Sequence, residues 1–165
     1  MSTTTLNAAP AIITSEELLE HWQGHRRLTR RVIEAFPEKE LFEFSIGGMR
    51  TFATLVAEMA AITTGIDGMA YGKWNDFEAK HKEIEEIKTK AGLLAYWDEL
   101  TEKLNAEWPA LTPERLRAVD NSWGFYEGPV VFILQYFVDN EIHHRGQGYV
   151  YLRALGIKPP AFYER

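Results

Sequence analysis

The sequence predicts an all-α fold, a four-helix bundle with long crossover connections. Three observations predict it. Apolar residues recur at three- and four-residue steps along most of the chain, the spacing of one helix face. Four long segments carry that spacing, and capping residues, prolines and glycines bound them. The alternating apolar–polar runs that would announce a strand are too short to support one. At 165 residues the chain has length for one domain around one core.

The elements follow in order. Residues 1–14 read as a flexible leader, and residues 15–165 as a single domain. "TSEELLEHW" opens the first helix, with Thr14 or Ser15 as N-cap and acids in the first turn, where the helix dipole favours them. Leu18, Leu19, Trp22, Leu28, Val32, Ile33 and Phe36 form its apolar stripe, and Pro37 ends it. "PEKELFEFSIGG" reads as a connector closed by Gly47 and Gly48. A shorter second helix, "MRTFATLVAEMAAITTGI", ends at Gly65 and Gly68, and "DGMAYGKWNDFE" reads as a loop. From about Glu78 to Trp108 a third helix carries Ile84, Ile87, Leu94, Trp97, Leu100 and Leu104, with a bend at Gly92. "TPERLRAV" makes a short helical turn. The last helix spans about 129–155, and "GIKPPAFYER" is an extended tail.

Composition narrows the function. Hydrophobic residues make up 45% and charged residues 25%, an ordinary globular mixture. Aromatic residues make up 13%, which suits a filled interior or an aromatic-walled pocket. The net charge of −6 argues against nucleic acid as a partner. The local basic run "HRRLTRR", His25 to Arg31, reads as a solvated face. With no cysteine, disulfides, thiolate metal sites and a cysteine nucleophile are excluded. Neither a signal peptide nor an apolar run near ~20 residues is present, so a cytoplasmic protein without a membrane span is expected.

The last helix poses the functional question. One of its faces reads Ile133, Phe137, Asn140, His144, Gln147/Gly148, Tyr151, Leu155: apolar at both ends and polar between. Either Asn140 and His144 belong to a hydrogen-bonded knot inside the bundle, or an imidazole and a side-chain oxygen at i, i+4 hold a metal. Gly146 and Gly148 each cost ~1 kcal/mol relative to Ala in a helix, so another helix or a ligand is expected against that backbone. Glu58 is the only acid in the apolar stretch of the second helix, between Leu55 and Ile62. Such a carboxylate is protonated, paired or on a metal, unless the helix turns it to solvent. His21 and His25 also have i, i+4 spacing, but their neighbours are polar and a surface pair is expected, with a contact of His25 to the same cavity as the alternative. His81 is expected to be solvated.

"HHRGQGYVYLRALGIKPPAFYER" resembles the closing motif of the DinB/YfiT-like superfamily of bundle proteins. "MRTFATLVAEMA" resembles the second-helix motif of that family, and "EHWQGHRRLTRRVIEAFPEKELFEF" its first helix and exit. The resemblance runs from about residue 15 to the end. It implies a four-helix bundle, often a homodimer, with a divalent metal (Zn, Ni or Mn) on one ligand from the second helix and two from the last. It also implies chemistry on a small molecule with a low-molecular-weight thiol, as an S-transferase or a thiol-dependent isomerase. Carried onto this sequence, the ligand positions are Glu58, Asn140 and His144. One nitrogen and two oxygens make a harder site than three imidazoles, expected to bind Zn or Ni less tightly and to tolerate Mn or Mg better than a three-imidazole site does. His143 lies about 100° round the helix from that face, with Asp139 one turn before it. It is a candidate acid/base or orienting residue, or else half of a surface or interface pair. Arg145 and Arg153 face solvent, a neighbouring helix or a dimer partner, and either could hold a substrate carboxylate. The contrasting expectation is a non-catalytic ligand-binding or stress-associated dimer whose metal site has degenerated.

Overall fold

A computed structural model describes residues 12–165. Most of the expected leader therefore lies outside the described residues. Four helices form the bundle: α1 (Ser15–Ala35), α3 (Phe52–Thr63), α6 (Lys90–Glu107) and α8 (Val130–Ala154). They pack in the ring order α1, α8, α3, α6. Between them lie α2 (Glu38–Glu43), α4 (Ile66–Tyr71), α5 (Phe77–Glu85), a 3₁₀ turn at Trp108–Ala110 and α7 (Pro113–Arg117).

Helix starts follow their capping chemistry. At α1 the Thr14 hydroxyl accepts from the Glu17 amide at 3.2 Å, and the Thr14 amide donates to the Glu17 carboxylate at 2.8 Å, a reciprocal capping box. Thr51, Asp76, Thr89 and Thr112 cap α3, α5, α6 and α7 one-sidedly, each side chain accepting from the backbone N–H three residues on. Pro37 both stops α1 and starts α2, since its fixed φ of −61° suits a helix entry and its missing N–H is not required there.

Three expectations need correction. The chain does contain strands: β1 (Val119–Ser122) and β2 (Tyr126–Pro129) form an antiparallel hairpin with Val119 opposite Pro129 and Ser122 opposite Tyr126. Four residues per strand leave too little alternation to read, and the turn places Trp123 at φ +52° just ahead of Gly124 at φ +78°, a left-handed conformation a tryptophan rarely takes. The single helix expected over 78–108 is two, broken at residues 86–89 where Thr89 caps a new start; Gly92 lies inside α6. The connector after Pro37 and the loop after Thr64 each hold a short helix, α2 and α4.

The core runs along the bundle as two apolar clusters. One gathers Val32, Phe52, Trp97 and Leu152; the other gathers Trp22, Leu104, Ile133 and Phe137. Each side chain of this size stabilises the fold by roughly 1.5–3 kcal/mol when fully buried. Along α1 and α8, buried polar residues separate the two clusters: Arg26 and Thr29 on α1, and Asn140, Glu141, His144 and Arg145 on α8. The basic run on α1 is thus only partly solvated. Its inward step of three and four buries His25, Arg26 and Thr29. Arg26 donates to the Thr101 hydroxyl at 2.8 Å, the Thr63 hydroxyl at 3.0 Å and the Trp97 carbonyl at 2.9 Å, and its guanidinium lies 4.1 Å from the Trp97 ring. Burial lowers its pKa to about 10. No helix among the described residues is long and apolar enough to cross a membrane.

Candidate functional site

The polar middle of α8 divides into two clusters on adjacent faces. The first faces α3. His144 Nε2 lies 2.9 Å from Glu58 Oε1, and Asn140 Nδ2 donates to the same oxygen at 3.1 Å. The other Glu58 oxygen accepts from Arg50, just before α3. Tyr151, two turns further along α8 than His144, donates to the Arg50 carbonyl at 2.9 Å and holds that segment in place. The hydrogen bond from His144 is the main reason the Glu58 carboxyl sits well below its ordinary range, at about 2; burial opposes it, and Arg50 and Asn140 add to it. The carboxylate is therefore charged at neutral pH and paired, and its side chain, 19% exposed, reaches the cavity edge beside the core.

Gly148 is where a close approach was expected. A Cβ there would run into the Phe52 ring, so only glycine lets α3 pack at this level. Gly146 has open space around it, and the inference drawn for that position does not hold.

His143 is exposed, and its Nε2 meets the Gln147 amide nitrogen at 3.0 Å. Among the described residues Asp139 makes no hydrogen bond to it, so the expected orienting pair does not form. Gln147 reaches between the two imidazoles, with its carbonyl oxygen 3.5 Å from His144 Nδ1.

The second cluster faces α1 and is closed. Glu141 accepts from Trp22 Nε1 at 3.1 Å and from Thr29 Oγ1 at 2.6 Å, and Arg145 lies 3.8 Å away. Arg145 Nη2 lies 2.9 Å from His25 Nδ1, and its Nη1 donates to Thr29 Oγ1 at 3.1 Å. His25 is thus a buried partner of Arg145 and does not line the cavity beside Glu58, contrary to both readings of its spacing with His21. Burial, helped by Arg145, lowers its pKa to about 3, so the imidazole is neutral and can accept from the arginine. Arg145 takes the neighbouring-helix option, while Arg153 is exposed and lies over Tyr149.

Beside Glu58 opens a cavity of about 780 Å³. Arg50 and Glu58 form part of its wall, and Phe77, Trp123, Phe125, Tyr136 and Phe137 supply aromatic surface. His81, expected in solvent, is in this wall instead: its ring stacks on Phe77 and is 18% exposed. The hairpin contributes through its turn. Trp123 stacks on Phe137 with centroids 5.6 Å apart and planes 13° from parallel, and its Nε1 donates to Asn75 Oδ1 at 2.9 Å. Sequence reasoning missed Arg50 and the hairpin aromatics. The available signal was Arg50 eight residues before an apolar run's only acid, and Trp-Gly-Phe-Tyr packed into four positions of a loop.

Among the described residues no three of His, Cys, Asp and Glu group together. The donor set available to a divalent ion is one carboxylate, one imidazole and one amide. Asn140 Oδ1 is buried without a hydrogen-bond partner, next to Glu58 and His144. A buried lone acceptor of that kind suits a cation, and the set offers a divalent ion one nitrogen and two oxygens. Gln147 is placed to accept from His144 Nδ1, which leaves Nε2 as the donor atom toward such an ion.

The fold and this site define a class: an all-α four-helix bundle with a carboxylate–imidazole cluster at the edge of an aromatic cavity. The chain belongs to the DinB family, whose profile matches residues 1–165. It is 27% identical over 169 residues to the uncharacterized protein YjoA of Bacillus subtilis (strain 168), covering 92% of this chain and 97% of YjoA. Its fold matches the crystal structure of a DinB-like protein from Bacillus cereus ATCC 10987, with a TM-score of 0.70 at 20% identity over 90% of this chain and 97% of that one. The crystal structure of YjoA matches with a TM-score of 0.70 at 21% identity, over 90% and 99% of the two chains. A mycothiol-dependent maleylpyruvate isomerase matches with a TM-score of 0.65 at 17% identity, over 82% of this chain and 61% of that one.

Proposed function

We propose that this protein is a divalent-cation-dependent enzyme acting on a small molecule with a low-molecular-weight thiol, with Glu58, Asn140 and His144 as the protein donors. The observation that carries the reading is the meeting of these three side chains from α3 and α8, within 3.1 Å of one another through Glu58 Oε1, beside a cavity of ligand size. The likeness in fold to a mycothiol-dependent enzyme supports a thiol as cosubstrate. The absence of cysteine requires that thiol to come from outside the chain. When bound, the cation supplies Lewis acidity that makes a thiol or water a nucleophile near neutral pH. The residues do the rest. Arg50 and Asn140 hold the Glu58 carboxylate in one orientation, Gln147 sets the His144 ring, and the aromatic walls give the reacting molecules an apolar surface to pack on. The reading carries with it the remaining expectations of the resemblance: residues 15–165 as one unit, a homodimer and a cytoplasmic setting.

One observation favours a second reading. Arg50 already neutralises Glu58, which suits a ligand-binding bundle without a metal. Elemental analysis of untagged protein separates the two. The enzyme reading expects stoichiometric Mn, or uptake of Mn on soaking, with His144→Ala and Glu58→Gln each weakening uptake at least tenfold while circular dichroism stays unchanged. If wild type takes up no Mn, Zn or Ni, the second reading replaces it.

A further inference from the structure

The cavity beside Glu58 has an electrostatic character that the proposed thiol chemistry does not require. Its volume of about 780 Å³ lies within the ~300–1,000 Å³ of small-molecule sites. Trp123 stacks on Phe137 in its wall, and Phe77 lies 5.2 Å from Trp123 with its ring tilted by 52°. Phe125 and Tyr136 are exposed at its mouth. Its charged groups are Arg50, Glu58, Glu78 and Asp139, with His81 as a further titratable group. Arg50 and Glu58 neutralise each other. Glu78 and Asp139 remain, both exposed, and neither makes an ion pair among the described residues.

This arrangement discriminates by charge. Aromatic faces present the negative side of their quadrupole, and two carboxylates add to it. An anion meets repulsion and finds only an arginine that is already paired. A neutral ring gains stacking alone. A cation with an apolar body gains from both the rings and the acids.

We propose that the cavity binds an organic cation, an amine or quaternary ammonium on an aromatic or alkyl body, as the molecule the enzyme acts on. This deepens the function proposed above and rests on it for the word "acts"; binding itself requires neither metal nor thiol.

The test is a titration of the full chain, followed by isothermal calorimetry, with three probes of similar shape: benzyltrimethylammonium, benzyl alcohol and benzoate. A metal chelator is present throughout. The cation binds at least tenfold more tightly than the alcohol, and benzoate binds weakest. Glu78→Gln combined with Asp139→Asn, both at exposed positions, lowers cation affinity at least fivefold and leaves the alcohol unchanged. Phe125→Ala weakens the cation and the alcohol together. The proposal is overturned if benzoate binds as tightly as the cation, if no probe binds at millimolar concentration, or if the double variant leaves the preference intact. Because metal is withheld, these results stand apart from the elemental analysis: either can fail alone.

Discussion

Two clusters grow from successive residues of one helix, and they behave differently. Glu141 and Arg145 face α1 and are closed: the carboxylate, hydroxyl, indole and guanidinium satisfy one another, and both charged side chains are under a tenth exposed. Asn140 and His144, each one residue earlier, face α3 and are open: Asn140 Oδ1 has no partner, and Glu58 borders a cavity. The same residue chemistry gives architecture where every group is paired and a site where one is left over. Charge inside a bundle is therefore not itself a functional signal; the incomplete pairing is.

Substitutions sharpen that contrast. Glu141→Ala strips a buried arginine, an indole N–H and a hydroxyl of their acceptor, and should cost about 3–5 kcal/mol in urea unfolding. Glu58→Gln should cost less, about 1–2 kcal/mol, because the amide oxygen still accepts from Asn140 and His144 and the half-exposed Arg50 turns to solvent. Equal losses would erase the distinction between the clusters.

Gly148→Ala comes next. Its methyl group meets the Phe52 ring, so overpacking should cost about 1–3 kcal/mol and loosen the approach of α3 to His144. Both unfolding and Mn uptake would register it. Gly146→Ala, two residues earlier with open space around it, should instead stabilise the helix by about 0.5–1 kcal/mol. A thermal melt of the pair in parallel decides the matter, since opposite shifts are required.

Acidification separates the clusters a third way. The unfolded His25 imidazole takes a proton near 6.5, whereas the folded one resists until about 3. Stability is therefore level above about pH 6.5 and declines as the pH falls toward 3, by about 1–2 kcal/mol at pH 5. Glu58 acts in a lower window: its contribution is complete above its ordinary value of 4.5 and disappears as the pH falls through about 2. Urea unfolding at pH 7, 6 and 5 should show the decline in wild type and a flatter profile in His25→Gln; a slope that persists in the variant would exonerate His25.

Much of the frame was legible because helices announce themselves locally. Thr14 and Pro37 bracket α1, and the apolar stripe from Leu18 to Phe36 needs no distant partner to be read. The convergence of Glu58 with Asn140 and His144 was also legible, from an isolated acid on one helix and an i, i+4 polar pair on another, together with a resemblance. Arg26 and Arg145 were not. Each looks like a surface cation until the neighbouring helices supply Thr63, Thr101, the Trp97 carbonyl, Thr29 and His25. The hairpin was missed for the opposite reason. Its strands are held by one another and by the bundle, so four residues on each side need carry no pattern of their own. Arg50 lies in the second-helix motif, but it precedes the extended Thr51 cap and reaches Glu58 about two turns into α3, a pairing only the folded backbone shows.

The aromatic wall has an optical consequence. Trp74 and Trp123 sit with ring centroids 5.0 Å apart and planes 67° from parallel. Indole transitions at that separation and tilt couple, and coupled chromophores in a chiral arrangement give a paired positive and negative band in circular dichroism. One of the two rings sits on the hairpin turn, the other follows α4. Any molecule that wedges into the chamber, and any movement of the turn, will change the band without a label, so the protein carries its own spectroscopic gauge of occupancy.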